Sequence, residues 1–440
     1  MEPIGPGRQP GGGEWEDCMT DPAALSATAA LERIRAGRLA PAQLMEACLE
    51  RIGTREPSLR VFAHFDADAA RLAAAGARPG ALHGLPIGVK DILDTADMPT
   101  GYGSPIWAGY RPRADAAAVA WARAEGGVVI GKTVTTEFAN RHPGPTANPH
   151  DPARTPGGSS SGSAAGVAAG FFPLAFATQT AGSIIRPAAF CGVVGYKPSF
   201  GTISRAGMKL AAESLDTIGV IARSVADCAL FAGAVAGIDL GDPDQRPERA
   251  PRIGLCRSPT WAHAAPETAA LLETVAARLA RAGAAVGARE LPAPFAALVE
   301  AHAVVMNAES ARSLGWEMTR HRGAISAALI ERLDWGLAQP APALAAARGV
   351  FATLQRGFPE AMEGLDILLT PSAPGEAPVG RSATGDPVFN FIWTSLHGPC
   401  VTVPAGTGPN GMPLGIQIVG RAGEDRAVLA WAQWVAAALA

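Results

Sequence analysis

The sequence predicts an α/β fold, a β-sheet carrying helices on both of its faces. Three observations predict it. Helix-like and strand-like segments alternate through most of the chain, which is the pattern of a layered α/β architecture. Of the 440 residues, 48% are hydrophobic and 18% charged, enough apolar material for a sizeable core and too much for a disordered chain. The one long uncharged run, 162–185, is mostly Gly, Ala, Ser and Thr and holds Pro173 and Gln179. That run is too weakly apolar to span a membrane and reads as a buried helix followed by a buried strand.

The elements follow in order. Residues 1–17 are expected to form a disordered lead-in, Gly- and Pro-rich over 1–13 and without the apolar stretch of a secretory signal. The remainder, 18–440, reads as a single domain. Its first part is helical, at 27–38, 41–52 and 66–75. A short apolar strand, 85–89, ends on Lys90 and Asp91. A helix at 114–125 leads to a strand at 127–130. Small residues build a helix at 160–170, followed by a strand at 174–178. Ser224 is a good N-cap for a helix at 224–237. A strand at 252–256 and a helix at 266–283 precede a mostly helical insertion, 294–364. Strands at 366–370, 399–404 and 414–420 and a helix at 424–439 close the chain. The chemistry-bearing core spans about 82–237, and the C-terminal strands and helix occupy 366–440.

Composition excludes several functions. A net charge of −3 offers no basic surface for nucleic acid or an anionic membrane. The six cysteines, Cys18, Cys48, Cys191, Cys228, Cys256 and Cys400, include no CxxC pair. They fit buried thiols in a reducing cytoplasm better than a disulfide framework. The eight histidines show no metal-binding spacing, so neither a metal nor another cofactor is expected. Of the 37 basic residues only Lys90, Lys132, Lys197 and Lys209 are lysines. A lysine kept against so strong an arginine bias points to a need for an amine. A buried amine can lose its proton, whereas a guanidinium cannot.

Three motifs need weighing. Residues 126–133 match the phosphate-loop pattern GxxxxGK[ST], but Val128, Val129 and Ile130 are themselves strand, so their N–H groups belong to a sheet. Residues 158–162 match GxSxG around Ser160. The segment before that serine holds Pro149, Pro152 and Pro156 and is no strand, as a nucleophile elbow requires. No lysine has a serine three residues before it, which excludes the SxxK arrangement.

The stronger signal is a constellation. A Gly-Ser loop, 155–163, opens the small-residue helix. An uncharged strand then runs into a second Gly-Ser turn, Thr180-Ala181-Gly182-Ser183, and on to Arg186. Small residues let backbone N–H groups approach a substrate oxygen. Lys90 sits at a strand end in apolar company that lowers an amine's pKa. Two serines and a neutral lysine supply a nucleophile, a relay and a base without histidine or metal.

These segments resemble the amidase signature family. The resemblance covers about 156–198, continues over 82–137 and 366–420, and is weak over 294–364. It implies a mixed sheet flanked by helices. It also implies a Ser-cisSer-Lys triad of Lys90 as base, Ser159 as bridging serine after a cis peptide, and Ser183 as nucleophile. The N–H groups of Thr180, Ala181, Gly182 and Ser183 match the oxyanion hole, with Thr178 and Ser160 behind them. The reaction implied is acyl transfer: hydrolysis of C–N bonds in small amides, with carbamates (urethanes), anilides and esters as further substrates.

Gln179 and Arg186 depart from the commonest family pattern and look like the branch that includes malonamidase. They point away from a glutamyl-tRNA amidotransferase subunit or a fatty acid amide hydrolase. In that branch the arginine binds a substrate carboxylate, a role Arg186 shares here with a purely structural ion-pair reading. Trp393, with Phe391 and His397 beside it, falls where the family often lines its pocket, as do Tyr102 and Phe138 more weakly; an aromatic there is more often core. Lys90 could instead pair with Asp91 or Asp94, and Ser159 and Ser183 could merely cap helices. A homodimer is compatible with all of this. Two rival readings stand beside the amidase: an elbow-type serine esterase using Ser160, and a non-catalytic amidase-like subunit.

Overall fold

The computed structural model describes residues 21–245 and 247–440; the expected lead-in, 1–17, lies outside them. The chain begins with helices α1 (Ala27–Arg35) and α2 (Pro41–Leu59), strand β1 (Phe62–Phe65) and helix α3 (Ala67–Ala75). Then come β2 (Pro86–Lys90), α4 (Ala117–Ala124), β3 (Val128–Thr133), α5 (Ser161–Ala169), β4 (Leu174–Gln179) and α6 (Ile185–Phe190). Next are β5 (Val194–Lys197), β6 (Thr217–Ala222), α7 (Val225–Ala236), β7 (Arg252–Leu255), α8 (Pro266–Arg281) and β8 (Ala285–Ala288). The insertion holds α9 (Ala297–Ser313), α10 (Gly315–Arg320), α11 (Ala327–Leu337) and α12 (Ala341–Ala361). The chain closes with β9 (Ile367–Pro371), α13 (Phe391–Ser395), β10 (Cys400–Thr407), β11 (Pro413–Val419) and α14 (Asp425–Leu439).

Among the described residues, eleven strands join one mixed sheet, in the order β1-β3-β2-β4-β6-β5-β10-β11-β9-β7-β8. Every residue of β2, β3, β4 and β6 is buried, which is why β2, β3 and β4 read as continuous apolar runs rather than alternating ones. The expected α/β fold is present, with four α-helices between Ala297 and Ala361. Six elements had no sequence expectation. β1 and β8 are four-residue edge strands, and β8 is largely exposed, so neither shows a periodic pattern. β5, β6, α6 and α13 are short and buried, where periodicity carries little signal.

Two features set the site. Strands β2 and β4 are parallel neighbours in the register Ile87↔Leu174 and Gly88↔Ala175, so both end at the same edge of the sheet. That brings Lys90 and Thr178 side by side. Helix α5 has only Gly, Ala, Ser and Val because it lies against backbone: a Cβ at Gly162 would fall 2.3 Å from the Val61 carbonyl oxygen. Any larger residue there would push α5, and the loop that opens it, off the sheet.

Among the described residues no helix is long and apolar enough to cross a membrane. Cys48, Cys191, Cys228, Cys256 and Cys400 are free and buried.

Candidate active site

Lys90 is fully buried at the end of β2. Its Nζ lies 2.8 Å from Ser159 Oγ and 2.7 Å from Thr178 Oγ1. Among the described residues no carboxylate touches it: Asp91 pairs instead with Lys132, at 3.2 Å, so the ion-pair reading of Lys90 is not what the structure shows. Burial pulls the Lys90 amine down to about 7, and the charge of Asp216 opposes that only partly. An amine in that range is neutral for a large fraction of the time near neutral pH, as a base must be.

The Gly158–Ser159 peptide is cis. Neither serine caps a helix: Ser160 holds the N-cap position of α5 and Ile184 that of α6. Ser160 is fully buried, and its hydroxyl bonds only to the backbone of Thr178, accepting from the N–H at 3.3 Å and donating to the carbonyl at 3.4 Å. No histidine meets it among the described residues, and no strand precedes it, so an elbow at Ser160 lacks both of its parts.

The turn from Thr180 to Ser183 is tied down from behind. Gln179 uses both ends of its side chain. Its Oε1 accepts from the N–H groups of Ile184 and Ile185, at 2.9 and 3.1 Å, and its Nε2 donates to Thr394 Oγ1 at 2.9 Å. A shorter aspartate at this position could not reach both and has no donor. Thr394 Oγ1 in turn donates to the Ala181 carbonyl at 2.7 Å. The Thr180 hydroxyl bonds to Asp216, whose other oxygen accepts from the N–H groups of Ala211 and Ala212 at 2.6 and 3.0 Å. Burial pushes the Asp216 carboxyl up to about 6. Gly182 must be glycine: a Cβ there would sit 2.2 Å from Asn390 Oδ1. The Ser183 hydroxyl and the four N–H groups of Thr180 to Ser183 make no hydrogen bond to any other described residue.

These groups face a cavity of about 460 Å³, lined by Thr180, Ala181 and Ser183 on one side and by Met306, Arg332 and Phe391 on another. Its charge is lopsided, with Arg141, Arg186 and Arg332 against a single carboxylate, Asp386. None of the three arginines forms an ion pair among the described residues. Arg186 is buried and donates to the Gly158 carbonyl at 2.7 Å and the Thr384 carbonyl at 2.8 Å, while its Nη1 has no partner. Burial lowers the guanidinium to about 10, still cationic at neutral pH. Arg332 is lowered to about 10 by burial and by the nearby charge of Arg141; it is held by Asn307 Oδ1 at 3.2 Å.

The other sequence candidates lie elsewhere. Trp393 is fully buried in the core under the insertion, its ring 6.3 Å from that of Phe358, and does not line the cavity. Phe391 lines it instead; two residues on a helix are about 200° apart, so Trp393 faces the other way. Tyr102 and Phe138 are also buried and outside the cavity lining, the Tyr102 hydroxyl donating to Asp94 Oδ1 at 2.6 Å. Missing from the sequence reading were Arg332, Met306 and His302, all from the insertion. The phosphate-loop match is strand, as expected: Lys132 is buried in β3 and donates to the Leu93 carbonyl at 2.7 Å. Among the described residues no cluster of three or more His, Cys, Asp or Glu could hold a metal.

The mixed sheet, the Gly-Ser loop and the lysine behind it define an amidase fold. The amidase family model matches residues 43–429, and the chain belongs to that family. It is 34% identical to a glutamyl-tRNA(Gln) amidotransferase subunit of Chloroflexus aggregans, over 93% of this chain and 96% of the relative. Among solved structures, the native peptide amidase of Stenotrophomonas maltophilia is 30% identical with a TM-score of 0.79, covering 95% of this chain and 97% of that one. A 6-aminohexanoate cyclic dimer hydrolase complexed with substrate is 25% identical with a TM-score of 0.86, covering 96% and 98%. Similarity along the whole chain therefore reaches proteins whose name the Gln179 and Arg186 departures had pointed away from.

Proposed function

We propose that the chain hydrolyses the C–N bond of a small, carboxylate-bearing amide, with Ser183 as nucleophile, Ser159 as relay and Lys90 as base. The observation that carries this is the bonded pair Lys90–Ser159 together with a Ser183 hydroxyl that, among the described residues, makes no hydrogen bond, at the wall of a cavity whose three arginines have no ion-pair partner among those residues. Neutral Lys90 takes the proton of Ser159 as Ser159 takes that of Ser183. The Ser183 oxygen bonds to the carbonyl carbon, and the oxygen of that carbonyl takes the negative charge. The free N–H groups of the 180–183 turn receive it. Collapse breaks the C–N bond, and the amine leaves with the proton returned through Ser159. Water then repeats the sequence on the acyl-serine, releasing the acid and restoring Ser183. No step needs a metal or cofactor.

The substrate's carboxylate is assigned to Arg186 Nη1, with Arg332 and Arg141 adding positive field. The same machinery attacks carbamate (urethane), anilide and ester carbonyls, so those bonds are cleaved where the rest of the molecule fits. The core at 82–237, the insertion at 294–364 and the C-terminal part from 366 act as one unit. The test pairs purified protein with a Ser183→Ala control and follows amine release from a short carboxylate-bearing anilide and its neutral counterpart. Preference for the acid, lost in the control, supports the proposal. Preference for the neutral anilide overturns the substrate class, and undiminished activity in the control overturns the nucleophile.

A further inference from the structure

The helical insertion lies outside the segments that carry the sequence motifs, yet it reaches the turn that carries the oxyanion donors. His302, on α9, is buried, and its Nε2 lies 2.9 Å from the Thr180 carbonyl oxygen. A carbonyl only accepts, so the imidazole proton sits on Nε2 and His302 donates. Burial holds this ring far below the usual histidine range, at about 4, so it is a neutral donor at working pH. The ring also stacks on Phe391 at 4.7 Å between centroids, which fixes its plane. One turn further along α9, Met306 lines the cavity. Beyond it, Glu309 accepts from the Ser214 N–H at 2.8 Å, next to Asp216, which holds the Thr180 side chain. One face of α9 thus grips the Thr180 turn directly and through the 211–216 loop.

The geometry of a trans peptide gives this grip a consequence. In each unit the C=O and the following N–H point in opposite directions. Tying the Thr180 carbonyl to His302 therefore turns the Ala181 N–H away from α9. Thr394 does the same one unit on, holding the Ala181 carbonyl at 2.7 Å and so turning the Gly182 N–H. The Gly182 carbonyl accepts from the Arg186 N–H at 3.0 Å, which turns the Ser183 N–H. Three successive carbonyls are held from behind by three different parts of the chain.

We infer that His302 and Thr394 are positioning residues, which aim the Ala181 and Gly182 N–H groups at the substrate oxyanion by fixing the carbonyls behind them. This rests on the assignment of Ser183 as nucleophile. The insertion is then part of the catalytic apparatus, and through His302 it acts on charge developed in the transition state rather than on substrate binding.

The test compares His302→Leu, His302→Gln and Ser183→Ala with wild type, reading kcat and KM for the carboxylate-bearing anilide alongside the melting temperature. Removing one oxyanion donor outright costs about 10²–10³ in rate, so freeing one to turn is expected to cost less, about 10- to 100-fold in kcat. KM should stay within about twofold, because the ground-state carbonyl carries little of that charge. Glutamine, whose amide N–H reaches about as far as Nε2, should restore most of kcat. A folded His302→Leu with wild-type kcat overturns the inference, as does a His302→Gln no better than leucine. If leucine prevents folding, Thr394→Val serves instead: loss of kcat at constant KM supports the inference and unchanged kcat overturns it. An inactive Ser183→Ala beside an unaffected His302→Leu sinks only this inference. An active Ser183→Ala sinks the nucleophile assignment and this inference with it.

Discussion

The loops around residues 155–198 and the insertion at 294–364 border the same cavity but are built under different constraints. The first is backbone chemistry. Its residues are small because strands, a helix and a turn pass within van der Waals contact, as at Gly162 and Gly182. Almost any larger side chain would displace an element, so the requirement is written into the composition. The insertion is side-chain chemistry. Helices α9, α11 and α12 bury Leu, Val and Phe on one face, as most helices do, and place His302, Met306 and Arg332 toward the site from otherwise ordinary helical sequence. On the proposed mechanism, bond breaking is held where the chain has least freedom, and the choice of substrate is shared between Arg186 there and Arg332 of the insertion.

Each half of that comparison can be broken separately. Ser183→Ala should have the largest effect, a loss of about 10⁴–10⁶ in kcat with the fold intact, read by amine release and circular dichroism. Lys90→Met removes the base while keeping the stem and should lower kcat by about 10³–10⁴. The wild-type pH profile tests the same residue. Lys90, lowered to about 7, is protonated and inactive below that pH. The rate should therefore rise through about pH 7 to a plateau and not fall again until well into the alkaline range. A profile flat from pH 5 to 9 would remove Lys90 from the base role.

Changes in the insertion should read differently. Arg332→Gln should raise KM for a carboxylate-bearing amide about 10-fold, leave its kcat within about twofold, and leave a neutral amide unaffected. Equal effects on both substrates would mean that the cavity's charge does not select the acid. Trp335→Ala, at a residue 44% exposed on α11, should change stability by less than about 0.5 kcal/mol and neither rate constant. His302 is the exception that sharpens the contrast, an insertion residue expected to act on kcat.

This division also explains what could be read from the sequence. Lys90, Ser159 and Ser183 stood out because glycine, serine and a scarce lysine recur in a fixed order. The alternation of helices and strands gave the sheet and most of its elements. Short edge strands such as β8 were silent, since four half-exposed residues hold no period. The aromatic candidates erred for a geometric reason. Trp393 and Phe391 are two residues apart, and only the helix of α13 decides which one faces the cavity. Arg332 could not be singled out because arginine is this chain's usual surface cation. Its meaning lies in having no acidic partner among the described residues, and that appears only once the chain is folded.

Everything proposed for this site depends on acyl transfer running through Ser183. The most direct measurement is the mass of the protein after reaction with a fluorophosphonate, followed by peptide mapping of the modified serine. One adduct is expected, on Ser183, and none in Ser183→Ala or when Lys90 is replaced by methionine. An adduct on Ser160, or no adduct on an enzyme that still releases amine, would contradict it.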